Sequence, residues 1–339
     1  MRKLTAAFLA FLLFLSLLVP ALAEESTLLE KNAGKLQIYC INLKPVQVGA
    51  GSHGDCSLIV FPTGETMLVD SSRPEYALTI LNWLRELGVT KLDYFWASHY
   101  HIDHVGSIQL LADFIPVENY LGPQFDIAYQ SPDYQHFLQM KKIDEQRMRE
   151  GDTLDIGDVH IEVLYPYQEL QDVCDQALID QVYNIPLPAY PEMTEEAYKH
   201  QKDNYCVKQG EMGNVFCTTF KLSYKNFSML FTGDIHMESE QYLLDHYTAD
   251  ELYSTVLKVP HHFVDTSCMP AFIDTVEPWI SVALGDGRWN SWGQKAIREL
   301  VMLDLVTGLD GNIEFVTDGE VLDVTYGIDE RVTETIDGF

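Results

Sequence analysis

The segment of the chain richest in chemically active side chains is residues 99–104, which place three histidines and one aspartate in the spacing His-x-His-x-Asp-His. Imidazole and carboxylate groups are ligands for zinc and similar divalent ions. His99 and His101 lie two apart in an extended segment, so their side chains point to one side. Asp103 and His104 follow where a helix is expected to begin, and a helix N-terminus helps to keep an imidazole neutral, as a metal ligand must be. The spacing predicts a metal site, and an ordinary polar surface loop is the alternative.

The elements around this segment indicate how it is held. Residues 92–97 are short, apolar and aromatic, which is typical of a buried strand, and residues 105–114 have the apolar spacing of a helix. The metal segment is therefore expected to be a loop between a strand and a helix. Farther along, Asp234 follows Gly233 at the end of another predicted strand, where a carboxylate can bridge two ions.

The rest of the chain predicts a mixed α+β fold. Strand patterns fall into two sets, with helical patterns between and after them. Three of these patterns are a helix over 132–149, a strand over 215–224 and a closing hairpin of residues 313–316 and 321–326. Periodicity alone leaves α/β and α+β open.

A series of motifs along the chain resembles the metallo-β-lactamase superfamily, and in detail the extracellular hydrolase domain of the competence protein ComEC and its secreted relatives. In chain order the motifs are Gly54-Asp55-Cys56, Met67-Leu68-Val69-Asp70, residues 99–104, Asn214-Val215-Phe216, Phe231-Thr232-Gly233-Asp234 and Leu257-Lys258-Val259-Pro260-His261-His262. The resemblance as a whole extends over residues 36–326, and the ordered series of motifs is far more specific than any single motif. It implies a four-layer αββα sandwich in one domain over residues 24–339.

The resemblance also implies a centre with two divalent metal ions, zinc or, alternatively, manganese. The implied ligands are His99, His101, Asp103, His104, the shared Asp234, and one of His261 and His262. Residues 261 and 262 are interpreted as the end of a strand, where neighbouring side chains point to opposite sides, so one of the two is expected to bind metal. The sequence does not say which. We assign His261 as the ligand of the two. His262 is assigned as a catalytic residue, and Asp103 as both a ligand and a catalytic residue.

The chemistry implied by this centre is hydrolysis by a metal-bound hydroxide, because a bound ion lowers the pKa of water from about 15.7 to near 7. Asp55 and Asp70, carboxylates on apolar strands, are candidates for orienting ligand imidazoles through the second ring nitrogen, with structural capping as an equal alternative. Asn214 stands where many superfamily members have another histidine, so one ion is expected either to be loosely held or to have an open, water-filled position. Three further polar residues, His53, Arg73 and His236, are interpreted as surface residues.

The N-terminal residues predict export. A basic Met1-Arg2-Lys3, an apolar run over residues 4–19 and Ala21-Leu22-Ala23 together have the pattern of a signal peptide over residues 1–23. The apolar run is shorter than the roughly 20 residues of a membrane span, so no span is expected after cleavage. The mature protein is expected outside the cell, with attachment to the cell wall left open.

Export permits disulfides among the six cysteines. Cys40 and Cys56 lie in predicted core strands and are interpreted as buried thiols, whereas Cys174 and Cys206 are the predicted bridge. These last two lie in residues 166–213, where prolines, tyrosines and acidic residues alternate without a period. Structureless segments of this length are usually functional or disordered, and this one is interpreted as an inserted flap beside the active site.

Net charge bears on the substrate. The formal charge of −29 argues against a nucleic acid, because affinity for a phosphate backbone comes largely from Lys and Arg. The leading hypothesis is a hydrolase of phosphoesters or phosphodiesters acting on a small-molecule or cell-envelope substrate. Tyrosines of the flap would suit a cationic group such as phosphocholine, because aromatic faces attract cations. The alternatives are an amide or lactone hydrolase of the same fold, including β-lactam hydrolysis, and a non-catalytic exported binding protein.

Overall fold

The computed structural model describes residues 27–43, 54–123, 132–166, 212–264, 266–287 and 292–339. The predicted signal peptide, nearly all of the predicted flap, His53 and the Cys174–Cys206 pair lie outside these residues. Within them, no helix has the length and apolarity needed to cross a bilayer.

The described residues form sixteen strands and eleven α-helices. The strands are β1 Leu36–Cys40, β2 Ser57–Val60, β3 Thr66–Val69, β4 Leu92–Trp96, β5 Val117–Pro123, β6 Gln146–Met148, β7 Thr153–Ile156, β8 Val159–Tyr165, β9 Thr219–Tyr224, β10 Phe227–Phe231, β11 Val256–Lys258, β12 Ile280–Ala283, β13 Leu303–Val306, β14 Ile313–Thr317, β15 Val321–Tyr326 and β16 Val332–Asp337. The helices are α1 Leu28–Lys31, α2 Ala77–Leu87, α3 Ile102–Val105, α4 Ile108–Phe114, α5 Pro132–Lys141, α6 Met212–Val215, α7 Met237–His246, α8 Ala249–Leu252, α9 Pro270–Val276, α10 Trp292–Leu300 and α11 Thr307–Asp310.

The strands form two sheets. The first has nine strands in the order β16-β15-β14-β1-β2-β3-β4-β5-β6, and the second has seven in the order β13-β12-β11-β10-β9-β8-β7. In the first sheet β3 to β6 run parallel to one another, and in the second β10 to β13 do. Parallel strands bring their carboxyl ends to one edge, and ligands in α/β sheets bind at that edge.

Three apolar clusters define the layers. The central cluster lies between the sheets, where Trp96 of the first sheet stacks on Phe220 of the second with 4.2 Å between ring centroids. A second cluster packs α2, α4 and α5 on the outer face of the first sheet, and a third packs α7, α9 and α10 on the outer face of the second. The four-layer αββα sandwich expected from the sequence is confirmed.

Helix α2 shows how local sequence builds an outer layer. Its apolar residues recur at the helical spacing, and Ile80, Leu84 and Leu87 are buried against the sheet. Pro74 opens a single 3-10 turn in front of it, and Gly88 ends it with φ 93°, a left-handed conformation that glycine adopts without strain.

Several predicted boundaries were wrong. The helix expected over 105–114 is interrupted because the N–H groups of Gly106 and Ser107 donate to the Ser72 carbonyl, so α3 and α4 are separate. The helix over 132–149 ends at Lys141, and β6 follows it. The strand over 215–224 starts only at Thr219, after α6.

The last strand, β16, had no strong sequence signal. It pairs antiparallel with β15 along its whole length, yet of its six residues only Ile336 is buried. A strand with a single buried side chain lacks the apolar alternation by which strands are recognised.

Candidate metal centre

The predicted metal loop follows β4 and is fixed by its neighbours. Asp70, at the end of β3, accepts a hydrogen bond from the Ser98 amide at 2.8 Å and one from the Ser98 hydroxyl at 2.7 Å. On the other side, the Asp55 amide donates to the Asp103 carbonyl at 3.2 Å. Gly54 makes this approach feasible, because a Cβ there would lie 1.8 Å from the same carbonyl oxygen.

Side chains from both sheets converge beside this loop. Four groups of three could hold a metal ion, with ligand atoms within 4.8 Å of one another: His99, His104 and Asp234; Asp103, His104 and His262; Asp55, Asp234 and His262; and Asp55, Asp70 and His104. All of these side chains are buried except Asp103, which is partly exposed. Asp70, the metal loop, Asp234 and His262 follow the carboxyl ends of β3, β4, β10 and β11, in that order. Asp55 lies in the loop before β2. The centre therefore lies where the two sheets present their parallel-strand ends.

Asp234 is the hub of this arrangement. Its Oδ2 atom lies 3.1 Å from the Nε2 atoms of both His104 and His262, and 4.0 Å from that of His261. Its backbone N–H donates to the Cys217 sulfur at 3.2 Å. One carboxylate oxygen thus faces imidazoles that follow strands of both sheets.

Lys258 is a member of the cluster that sequence reasoning missed. Its ammonium group is buried and lies 2.5 Å from Asp55 Oδ2, 3.5 Å from Asp234 Oδ1 and 2.5 Å from the Gly233 carbonyl oxygen. Lysine is almost never fully buried without a partner, so a charged residue inside the apolar strand β11 was the available signal. This cation offsets part of the carboxylate charge.

The second ring nitrogens of two histidines also face carboxylates. Asp70 Oδ2 lies 2.8 Å from His104 Nδ1, and Asp55 Oδ1 lies 3.1 Å from His262 Nδ1. His262 Nδ1 is also 2.7 Å from the Leu284 carbonyl oxygen. In both histidines Nε2 is then the nitrogen directed at Asp234.

Electrostatics make these two imidazoles basic. Burial opposes protonation, yet Asp234 and Asp70 outweigh it and raise the pKa of His104 well above its ordinary value. In the same way Asp234 and Asp55 raise the pKa of His262 to about 10. Without a metal ion both imidazoles are therefore cationic near neutral pH. The expectation that the helix N-terminus keeps His104 neutral was wrong for the metal-free protein, because Asp234 and Asp70 outweigh it; a bound ion would displace both protons.

Burial and neighbouring charges also set the pKa values of His99 and Asp234. Burial, together with His104 and His101, lowers the pKa of His99 well below its ordinary value, so this imidazole is neutral. For Asp234 burial acts in the opposite direction, but nearby cations, chiefly His262, hold the pKa of its carboxyl well below the usual range. The carboxylate is therefore ionised and available as a ligand.

The expectation that residues 261 and 262 continue a strand was wrong. Residues Pro260–Phe263 form a turn in which His261, His262 and Phe263 all have positive φ, at 46°, 51° and 69°. This left-handed conformation is uncommon for residues other than glycine and is typical of functional sites. The alternation of a strand therefore does not decide between the two histidines. His262 lies closer to Asp234, and the assignment of His261 as a ligand stays a prediction.

His236, interpreted from sequence as a surface residue, is fully buried. Its ring stacks on that of His261 with 4.9 Å between centroids, and its Nε2 lies 3.4 Å from the Asn214 amide nitrogen. Asn214, itself buried, lies 3.2 Å from His261 Nε2. His101 contacts His99 at 2.9 Å but belongs to none of the four groups found in the described chain. The predicted site residues thus form two neighbouring sets around Asp234.

Arg73 lies outside both sets. It is partly exposed and pairs with Glu75 at 3.0 Å. The two predicted thiols, Cys40 and Cys56, are buried and free, as expected.

The residues present fit a divalent ion. His262 Nε2 and Asp55 Oδ1 are buried and make no hydrogen bond within the described part of the chain, although each lies near a group of opposite charge. Buried polar atoms are rarely left unsatisfied, and a metal ion would satisfy the imidazole. The donor set of imidazole and carboxylate suits zinc.

Residues 49–169, which contain the metal loop, match the family described as the metallo-beta-lactamase superfamily. The match covers about a third of the chain, and members of that superfamily are generally metal-dependent hydrolases. The finer likeness to ComEC stays a prediction.

Among solved structures, the chain is similar to the metallo-β-lactamase fold protein YhfI from Bacillus subtilis at 11% identity, over 80% of this chain and 95% of that one, with a TM-score of 0.45. It is similar to Tm1679, a metal-dependent hydrolase of the β-lactamase superfamily, at 13% identity, over 80% and 94%, with a TM-score of 0.47. A third is MEM-A1, a subclass B3 metallo-β-lactamase from a soil metagenome library, at 12% identity, over 68% and 81%, with a TM-score of 0.37. With TM-scores this low, none of the three bears on function. No curated protein matches the chain.

Proposed function

We propose that the protein is a dinuclear metal-dependent hydrolase of phosphoesters or phosphodiesters, acting on a small-molecule or cell-envelope substrate. The observation that carries the proposal is the convergence of Asp103, His104, Asp234 and His262 from separate strand ends of both sheets. A purely structural role does not require so many metal-binding side chains at one point.

In this proposal the chain's own residues divide the work. Asp103, His104 and His262, with Asp234, would hold one ion. His99, which is grouped with Asp234, and His101, which contacts His99, would contribute to the other. Ions bound there would supply a nucleophile at neutral pH and stabilise the charge that develops in a displacement at phosphorus.

Asp55, Asp70 and Lys258 orient the proposed ligands. Asp70 and Asp55 hold the Nδ1 atoms of His104 and His262, so that Nε2 of each ring faces Asp234. Lys258 holds the other oxygen of Asp234 and fixes which oxygen is presented. These contacts keep the ligands in place before substrate arrives, which reduces the reorganisation needed in the transition state.

The proposal is tested first by the metal content of the purified chain, measured by mass spectrometry. About two transition-metal ions per chain are expected, falling sharply in Asp234→Asn. Asp323→Asn, an isosteric change on β15 far along the first sheet, is the matched control and should retain both. Less than half an ion per wild-type chain after incubation with zinc or manganese would refute the metal-dependent mechanism and favour a binding protein.

The substrate class is tested by turnover of chromogenic substrates. Nitrophenyl phosphate and bis-nitrophenyl phosphate should be hydrolysed, and Asp234→Asn should lower kcat/KM by at least about 100-fold, because even residues behind the ligands contribute 10- to 100-fold. Hydrolysis of a β-lactam or a lactone, with neither phosphate ester cleaved, would replace the proposed substrate class by the carbonyl alternative.

A further inference from the structure

We propose that His236 is a metal ligand, and that with His261 and Asn214 it holds one of the two ions. This inference rests on the proposed dinuclear function and names residues for the ion on the His101 side of the centre. It concerns a side chain two residues after Asp234 that was interpreted from the sequence as a surface residue.

The distances are those of a ligand set. The Asn214 amide nitrogen lies 3.4 Å from His236 Nε2 and 3.2 Å from His261 Nε2. Ligand atoms at 2.0–2.1 Å from a tetrahedral ion are about 3.3 Å apart. A half-turn of the amide group would exchange its nitrogen for its oxygen, and amide oxygens are metal ligands. The Asn214 amide group therefore already lies at the spacing from each imidazole that a shared ion imposes.

Neighbouring groups orient the imidazoles of His236 and His261 towards the proposed ion. His261 Nδ1 lies 2.8 Å from the Thr266 hydroxyl, which leaves Nε2 as the nitrogen facing Asn214. A hydrogen bond on the far ring nitrogen is the usual support of a histidine that binds metal. His236 stacks nearly parallel to His261, at 22° between ring planes, so both rings approach from one side. His236 is the N-cap residue of α7, yet its side chain makes no capping hydrogen bond.

The protonation states agree with this geometry. Burial lowers the pKa of His261 to about 3, and burial with the neighbouring His261 lowers the pKa of His236 well below its ordinary value. Both imidazoles are neutral at neutral pH, as ligands must be. His101 contributes to both shifts, which indicates that this set adjoins the metal loop.

The charges also distinguish this set from its neighbour. His104 and His262 each face two carboxylates, whereas the set of Asn214, His236 and His261 has only the shared Asp234, whose Oδ2 atom lies 4.0 Å from His261 Nε2. A set with fewer carboxylates binds a divalent ion more weakly. We therefore expect the ion at His236 to be the first to leave when a chelator is added.

The test compares the zinc content of three forms of the full chain after chelation and reloading. Wild type should carry two ions, His236→Ala one, and His246→Ala two. His246 is the matched control, because it lies on the same helix at its exposed end, where its ring contacts the Tyr242 carbonyl. Adding Asn214→His to His236→Ala should restore the second ion by returning an imidazole to the set. Two ions in His236→Ala with unchanged affinity would overturn the inference.

A measurement on wild type covers the case in which His236→Ala fails to fold. In a crystal structure of the zinc-loaded protein, a zinc ion about 2.1 Å from His236 Nε2 is expected. A zinc ion more than about 3 Å from that atom would overturn the inference and leave the proposed function intact. A wild-type chain that binds no zinc would overturn both. None of these readouts depends on activity.

Discussion

Replacing Lys258 by Met removes a buried cation while keeping an unbranched side chain of similar length. The ammonium group faces Asp55 Oδ2 at 2.5 Å and Asp234 Oδ1 at 3.5 Å, and all three side chains are buried. Removing one partner of a buried ion pair leaves an uncompensated charge and lowers stability by about 3–5 kcal/mol. Because Asp55 is the nearer carboxylate, most of this loss is expected to come from Asp55.

The assay is chemical denaturation followed by circular dichroism, with chelator and again with zinc. The loss should be about 3–5 kcal/mol in chelator and smaller with zinc, because bound ions return positive charge to the carboxylates. Lys258→Met combined with Asp55→Asn should lose less than the two single variants together. Lys225→Met, which removes an exposed lysine, is the control and should change stability little. A loss below about 1 kcal/mol for Lys258→Met in chelator would refute the reasoning.

Three other changes should have measurable effects. Asp70→Asn should weaken zinc affinity by about 10- to 100-fold in a chelator competition, because it replaces the carboxylate facing His104 Nδ1 by an amide. Unchanged affinity would show that Asp70 acts only through its hydrogen bonds to Ser98 in the metal loop. In metal-free protein the raised pKa of His262 gives stability that is complete below pH 6.5 and is lost as the pH rises through about 10. Denaturation should show a decline of at most about 5 kcal/mol, flattened in His262→Gln, and a flat wild-type curve would contradict it. Gly54→Ala should lower the unfolding temperature far more than Gly34→Ala, because both have positive φ but only Gly54 has backbone in the way; equal effects would contradict the packing argument.

Local sequence patterns were sufficient for the central strands and for the loop after β4, whereas the four layers were expected only from the resemblance to the metallo-β-lactamase superfamily. Short apolar runs marked the central strands, and the spacing of residues 99–104 marked the loop, because both signals are local. Asp234 was found in the same way, at the end of a strand after a glycine. These features depend on neighbours in the chain, which a sequence displays directly.

Features that depend on distant contacts were missed. His236 lies two residues after Asp234, but the sequence does not show its contacts with Asn214 and His261, which are 22 and 25 positions away. The turn at residues 260–263 looked like a strand end because its left-handed backbone leaves no mark on side-chain types. Lys258 was visible as a charge in an apolar strand, but its partner Asp55 lies about 200 positions earlier.

The convergence of both sheets on one centre has a consequence for folding entropy. Asp103 and His262 are about 160 positions apart, and an ion bound by both would close a loop of that length. A covalent cross-link closing so long a loop would stabilise the folded chain by about 5 kcal/mol. Metal loading should therefore slow hydrogen exchange at the amides of β4 and β11 together. Separating the two sheets would require the ion to release Asp103 or His262.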